Sequence, residues 1–271
     1  MLPAFEYAEA RSIDDALTAA ATAPSMFLAG GQGLLSEMAR GIRRPVRLVD
    51  VSRIPELATT NEEGGATVTG SLVRLRDVAS EDVPPALSLL AVAAARVGSP
   101  PIRTRATIGG NLCHGLGTSE VALAALASGA EVIVADVGGS RRVLRSDELA
   151  AMRPADDRSP YLVLAVRWPA PPSDARVGVD VVELGEQHDW LPAVALASVV
   201  HSVDGAPALA RTAVGFRSGE RALVTLDEPT GDVEAAVRAS VNGSGGFPAG
   251  WVAAQVADSL ARAVAQTGGR P

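Results

Sequence analysis

Two glycine-rich runs carry the chemical information in this chain: Ala29-Gly30-Gly31-Gln32-Gly33 and Thr107-Ile108-Gly109-Gly110-Asn111. Glycine lets backbone approach a ligand closely, because no side chain stands in the way. A concave run of backbone N–H groups binds an anion, most often a phosphate. Two such turns, distant in sequence, point to one diphosphate gripped from two sides, and so to a dinucleotide. The competing reading of Gly30 and Gly31 is a tight turn and nothing more. The rest of the polar inventory offers little organic chemistry of its own. No nucleophile–base pair or metal-ligand cluster stands out. All 24 basic residues are arginine, so no reactive lysine exists. Cys113 is the single cysteine, which excludes an internal disulfide and any cysteine-ligated cluster or zinc site built by this chain alone.

The elements around the turns suit that task. Ser12 caps an alanine-rich helix that stops at Pro24, and Met26 to Ala29 forms a short strand leading into the first turn. Leu34, Leu35 and Met38 recur at helical spacing, with Gly41 as the stop, and Arg47 to Val51 forms the next strand. The first turn therefore lies at a helix N-terminus, where the dipole favours a phosphate. Ala66–Gly70 and Leu72–Leu75 read as strands, and residues 86–97 as a helix closed by Gly98. Ser99-Pro100-Pro101 breaks the chain before Ile102 to Arg105 and the second turn. Thr118-Ser119-Glu120 then caps an apolar helix ending at Gly129. Glu131–Ala135 and Arg141–Leu144 form a hairpin across Gly138-Gly139, and Tyr161–Trp168 a further strand.

Pro169-Ala170-Pro171-Pro172 reads as a stiff linker. Beyond it lie three strands, Val177–Leu184, Ala193–Val203 and Ala208–Phe216, the last two joined at Asp204-Gly205. Two helices follow, over 232–241 and 250–266. A net charge of −7 argues against nucleic acid or an anionic membrane surface as a partner. No apolar run approaches the ~18 residues of a spanning helix, and the first residues show no signal-peptide pattern, so the cytoplasm is the expected compartment.

The residues also carry a family resemblance. Leu28-Ala29-Gly30-Gly31-Gln32-Gly33-Leu34-Leu35, with Arg44-Pro45 and Leu48-Val49-Asp50-Val51-Ser52-Arg53-Ile54-Pro55-Glu56-Leu57, resembles the FAD-binding medium subunit of molybdenum hydroxylases. That family includes carbon monoxide dehydrogenase and xanthine dehydrogenase. Ile102-Arg103-Thr104-Arg105-Ala106-Thr107-Ile108-Gly109-Gly110-Asn111-Leu112 is similar to its second signature, and Gly129-Ala130-Glu131-Val132 to the continuation. The resemblance implies an α+β chain with an FAD-binding fold of the vanillyl-alcohol oxidase or p-cresol methylhydroxylase type. Its two α/β subdomains would span 1–57 and 58–172. A C-terminal domain, 173–271, would hold a three-stranded antiparallel sheet and helices.

The same resemblance assigns FAD to Leu28, Ala29, Gly30, Gly31, Gln32, Gly33 and Leu34, and to Thr107, Ile108, Gly109, Gly110 and Asn111. Glu120 sits where relatives place an aspartate near the adenosine ribose, and Val163 where an apolar residue lines the cofactor. His114 could reach the flavin or its phosphate, or be satisfied in its own loop. Trp190 could stack on the flavin, or pack at a strand start. Cys113 reads as a small buried filler, and His201 as structural. The implied partners are an iron–sulfur subunit and a molybdopterin subunit, in a heterotrimer that can pair. Electrons would pass from partner clusters through FAD to an acceptor.

Two stretches depart from the pattern. Cys113-His114-Gly115-Leu116-Gly117-Thr118-Ser119-Glu120 replaces a segment that usually carries an extra aspartate and a proline. Val182 to His188 lacks the customary lysine and arginines near the flavin, whose absence would lower its potential or weaken its binding. His188, if protonated, would restore part of that charge. A stand-alone FAD oxidase or dehydrogenase of a small metabolite, and a scaffold that has lost FAD, are the alternative readings.

Overall fold

Three sheets with helices layered between and outside them make up the computed structural model, which describes residues 2–80, 82–113, 117–145, 148, 161–185, 194–204, 206–217, 221–226, 232–241 and 247–268. The first sheet is small and parallel, in the order β1-β3-β2. It is built from β1 (Glu6–Glu9), β2 (Ser25–Leu28) and β3 (Arg47–Asp50). Helix α1 (Ile13–Ala21) packs on it, its first turn capped by the Ser12 hydroxyl, which accepts from the Asp15 amide at 3.1 Å. The chain leaves β2 directly into the first glycine run, then enters α2 (Leu34–Ala39).

The second sheet runs β4-β5-β8-β6-β7 and is antiparallel throughout. Its strands are β4 (Thr60–Glu63), β5 (Ala66–Gly70), β6 (Glu131–Asp136), β7 (Arg141–Leu144) and β8 (Tyr161–Pro169). β5 and β8 pair across a long sequence gap, and Trp168 fixes the junction: fully buried, it donates its indole N–H to the Thr69 hydroxyl at 2.9 Å. Leu57, Leu72, Leu162 and Leu164 join Val49 and Val51 in one apolar cluster, which fuses the first two sheets. Between β5 and β6 come α3 (Leu75–Val78), α4 (Ser88–Arg96), α5 (Pro100–Arg103), α6 (Ile108–Leu112) and α7 (Glu120–Ser128).

The third sheet, β12-β11-β10-β9, is antiparallel. Its strands are β9 (Arg176–Leu184), β10 (Val194–Val203), β11 (Ala206–Phe216) and β12 (Arg221–Leu226). One face packs on α4 and α7, and the other on α8 (Val233–Ser240) and α9 (Ala249–Gln266). This explains the sequence of α7: Val121 to Ala127 are all buried, and only a helix covered on every side needs apolar residues all round.

The structure corrects three expectations. The C-terminal sheet has four strands rather than three among the described residues; Arg221–Leu226 is short, with an exposed residue inside, and its alternation is too weak to read alone. Leu72–Leu75 is not a strand. Leu72 donates to the Leu57 carbonyl at 2.7 Å and the chain turns into α3. Pro100-Pro101 does not break the chain but begins α5, since proline at the first helical positions gives up only an N–H that has no helical partner anyway.

Candidate functional site

The first glycine run opens on a pocket of about 580 Å³, within the range of ligand sites. Leu28 to Leu34 line it without interruption, joined by Ala106 and by Thr107, Gly110 and Asn111 from the second run. The two runs are brought together by backbone contact. A Cβ on Gly30 would lie 2.0 Å from the Arg105 carbonyl oxygen, so that position admits only glycine. Gly31 has φ +74°, the left-handed region that glycine adopts without strain.

The two runs differ in what their amides do. Among the described residues, none of the N–H groups of Ala29, Gly30, Gly31, Gln32 and Gly33 donates a hydrogen bond. They are a row of unpartnered donors along the pocket lining, a cradle suited to an anion. Four of the five amides of the second run are engaged, that of Thr107 being the exception among the described residues. Ile108 donates to Val73 O at 3.0 Å, Gly109 to Ser71 O at 2.9 Å and Asn111 to Thr107 O at 2.9 Å. Gly110 donates to the Thr107 hydroxyl at 3.1 Å. The expectation of two N–H nests is therefore corrected to one. The second run is held as a helical turn, α6, and acts as a wall. The helices that start at the two runs have six and five residues, so the local N–H groups matter more than any macrodipole.

Asn111 ties this wall to α7. Its Oδ1 accepts from the Ser119 hydroxyl at 2.7 Å and from the Val121 amide at 3.1 Å. Ser119, read from sequence as the cap, makes no side-chain cap bond of its own; the second run supplies the cap instead. Asn111 Nδ2 also donates to Glu120 Oε2 at 3.4 Å. Burial pushes the Glu120 carboxyl up to about 7, and neighbouring Glu183 adds to the rise by charge and by a carboxyl–carboxyl hydrogen bond. Glu183 arrives from β9, so the C-terminal sheet contributes to the pocket wall.

A folded-state value above the unfolded one means that the folded protein holds the extra proton. The stability this carboxyl contributes is full below the ordinary glutamate range and is lost as pH rises to about 7. The Glu120 contribution to the unfolding free energy of the cofactor-free protein, read as the difference between wild type and Glu120→Gln, should fall by about 2 kcal/mol between pH 5 and pH 8. Glu120→Gln should flatten that slope, and parallel curves for the two proteins would contradict the assignment.

Not every residue picked from sequence reaches the pocket. Val163 is buried in the core, pairing with Val134 beside an irregularity of the β6–β8 ladder, and does not line it. Ile108 and Gly109 face inward behind the wall. His114 and Trp190 lie outside the described residues, as do Gly205 and His188. Cys113 is not buried filler. It is accessible at the pocket, though crowding desolvates its thiol and pushes it up to about 12, against the pull of Arg221, leaving it neutral and unreactive at neutral pH. His201 is half-buried on β10, its basicity lowered by burial and by Arg211. Sequence reading missed Met26, Phe27, the Glu37–Arg43 ion pair (3.4 Å), Arg96 and Glu183. Among the described residues no group of three or more His, Cys, Asp or Glu could hold a metal ion, and no helix is long and apolar enough to cross a membrane.

The fold and the sequence have known counterparts. The chain belongs to the family described as the FAD-binding domain in molybdopterin dehydrogenase, which matches residues 3–171. It is an FAD-binding medium subunit of the molybdenum hydroxylase type, and FAD is its cofactor. It is 28% identical to the 6-hydroxypseudooxynicotine dehydrogenase complex subunit alpha of Paenarthrobacter nicotinovorans, over 89% of this chain and 85% of that one. To the carbon monoxide dehydrogenase medium chain of Hydrogenophaga pseudoflava it is 35% identical, over 52% of this chain and 50% of that one. A solved carbon monoxide dehydrogenase structure from the same bacterium superposes with a TM-score of 0.79 at 24% identity, covering 98% of both chains, and so shares the fold. The cradle of unpartnered N–H groups and the volume of the pocket fit a dinucleotide.

Proposed function

We propose that the chain is an electron-transfer subunit, holding FAD in this pocket between an iron–sulfur partner and a terminal acceptor. The observation that carries the reading is the row of five unpartnered amides, Ala29 to Gly33, on a pocket walled by the second family signature. In this reading Leu28 to Leu34 hold the diphosphate, while Thr107, Gly110 and Asn111 form the opposite wall. Glu120, an acceptor for a sugar hydroxyl, faces the same space; His114 and Trp190 lie outside the described residues and are assigned to the cofactor by resemblance alone. The FAD supplies the redox chemistry, taking up electrons and releasing them to an acceptor. The protein's own part is to bind it, exclude water and set its potential.

The relatives are named as subunits or chains of dehydrogenases and hydroxylases, which supports a multi-subunit complex. The single cysteine supports placing the clusters elsewhere. We assign the partners as an iron–sulfur subunit and a molybdopterin subunit, in a heterotrimer that can pair, in the cytoplasm. The fold is best read as the vanillyl-alcohol oxidase or p-cresol methylhydroxylase type, with subdomains at 1–57 and 58–172 and a C-terminal domain at 173–271.

The test is metal and flavin analysis of the complex recovered through a tag on this chain from its native cells. Iron, molybdenum and FAD in fixed proportion, with acceptor reduction only in the intact complex, is the expected result. A flavoprotein free of both metals that oxidises a small metabolite by itself would replace this reading with the stand-alone enzyme.

A further inference from the structure

The charges on the pocket wall do not suit a diphosphate until one residue is counted. Five charged side chains line the pocket: Glu37, Arg43, Arg96, Glu120 and Glu183. Glu37 and Arg43 form a largely buried ion pair at 3.4 Å, so together they present little net charge. Glu120 and Glu183 share a hydrogen bond and add negative charge. A diphosphate, itself doubly negative, would meet an acidic wall with only neutral amides opposing it. Arg96 is the exception. It ends α4, is exposed, lines the pocket, and makes no hydrogen bond or ion pair with any described residue.

The path of the chain puts this guanidinium on the same wall as the cradle's neighbour. Val97, Gly98, Ile102 and Ala106 continue the lining from Arg96, and the Arg105 carbonyl abuts Gly30 at the cradle's start. We propose that Arg96 is the counter-charge of the FAD diphosphate, a binding residue that neither glycine signature contains; the inference rests on the FAD site described above. A guanidinium fits the part, because its planar donors match phosphate oxygens two at a time and it stays charged at any working pH. The competing role is local: a cation in the last turn of α4 also complements the helix dipole. The two roles are separable, since the local one acts on stability without FAD and the binding one acts on phosphate recognition.

The experiment compares wild type, Arg96→Gln and Arg96→Lys, each stripped of flavin and titrated with FAD and with riboflavin, which lacks phosphate. Arg96→Gln should weaken FAD binding by about 10- to 100-fold, the effect of losing a charge-assisted bond. Its riboflavin affinity and its cofactor-free melting midpoint should match wild type. The loss of FAD affinity with added salt should become shallower, and Arg96→Lys should recover part of the binding. Equal FAD affinity in wild type and Arg96→Gln would overturn the assignment of Arg96. So would a fall in FAD and riboflavin affinity by the same factor. A wild-type chain that takes up no FAD would instead overturn the site itself, and the Arg96 assignment with it.

Discussion

Gly30→Ala should lose FAD, with affinity reduced at least about 100-fold and little or no flavin retained through purification. The added Cβ would meet the Arg105 carbonyl oxygen at 2.0 Å, its carbon at 2.8 Å and the Ala106 Cα at 3.2 Å. All three are backbone atoms, so no rotamer change relieves the clash, and one run must move away from the other. Overpacking of this kind costs about 1–3 kcal/mol or more. Here the displacement also separates the amide cradle from its opposite wall, so the loss in binding should exceed the loss in stability. Gly250→Ala is the matched control. It lies in the first turn of α9, where the nearest atom to a new Cβ is 4.0 Å away, and should leave both FAD binding and folding intact. Flavin content and an FAD titration decide the matter, and a Gly30→Ala protein with wild-type affinity would refute the contact.

Asn111→Ala should cost about 2–3 kcal/mol of stability, the loss expected when a buried donor and a helix cap go unsatisfied together. Its Oδ1 is the acceptor for the Val121 amide, one of the first-turn donors of α7 that no helical carbonyl can reach. α7 is buried between two sheets, so water cannot easily take over. The same substitution removes the amide that donates to Glu120, which leaves that carboxyl with its neighbour Glu183 and even less reason to ionise. Asn111→Asp separates the two effects. It keeps an oxygen for Val121 and Ser119 but removes the donor to Glu120 and adds a third carboxylate beside two others. Urea unfolding should find Asn111→Asp closer to wild type than Asn111→Ala. FAD titration should find both impaired. Equal stability of all three proteins would remove Asn111 as the link between the second run and α7.

Local signals made much of this architecture legible. Ser12 caps α1 as its spacing indicated, Gly41 and Gly129 follow the helices they were read to end, and the β6–β7 hairpin turns across Gly138-Gly139. What failed depended on contacts far away in sequence. The 72–75 stretch has strand composition, but it forms only an isolated antiparallel bridge, Arg74 with Thr107, and a bond to the Leu57 carbonyl, not a ladder. The site shows the same division. Both glycine runs line one pocket, as their patterns indicated, yet nothing in the second run's residues tells that the distant carbonyls of Ser71 and Val73 already occupy two of its amides. Arg96 and Glu183 have no motif at all; they join the pocket through the packing of α4 and β9. Val163, assigned by resemblance, lies in the core cluster and is not part of this pocket's lining.

The central claim is that the amides of Ala29 to Gly33, and not the engaged amides of Ile108 to Asn111, grip the cofactor diphosphate. Amide NMR of the isotope-labelled, cofactor-free chain during FAD titration tests it most directly. The account predicts that the signals of Ala29 to Gly33 move farthest and gain protection from exchange with solvent. Riboflavin, lacking phosphate, should leave them nearly unmoved. The Ile108, Gly109 and Asn111 amides should be protected before FAD is added and change little in protection on binding. FAD uptake that leaves Ala29 to Gly33 unshifted and unprotected would contradict the account.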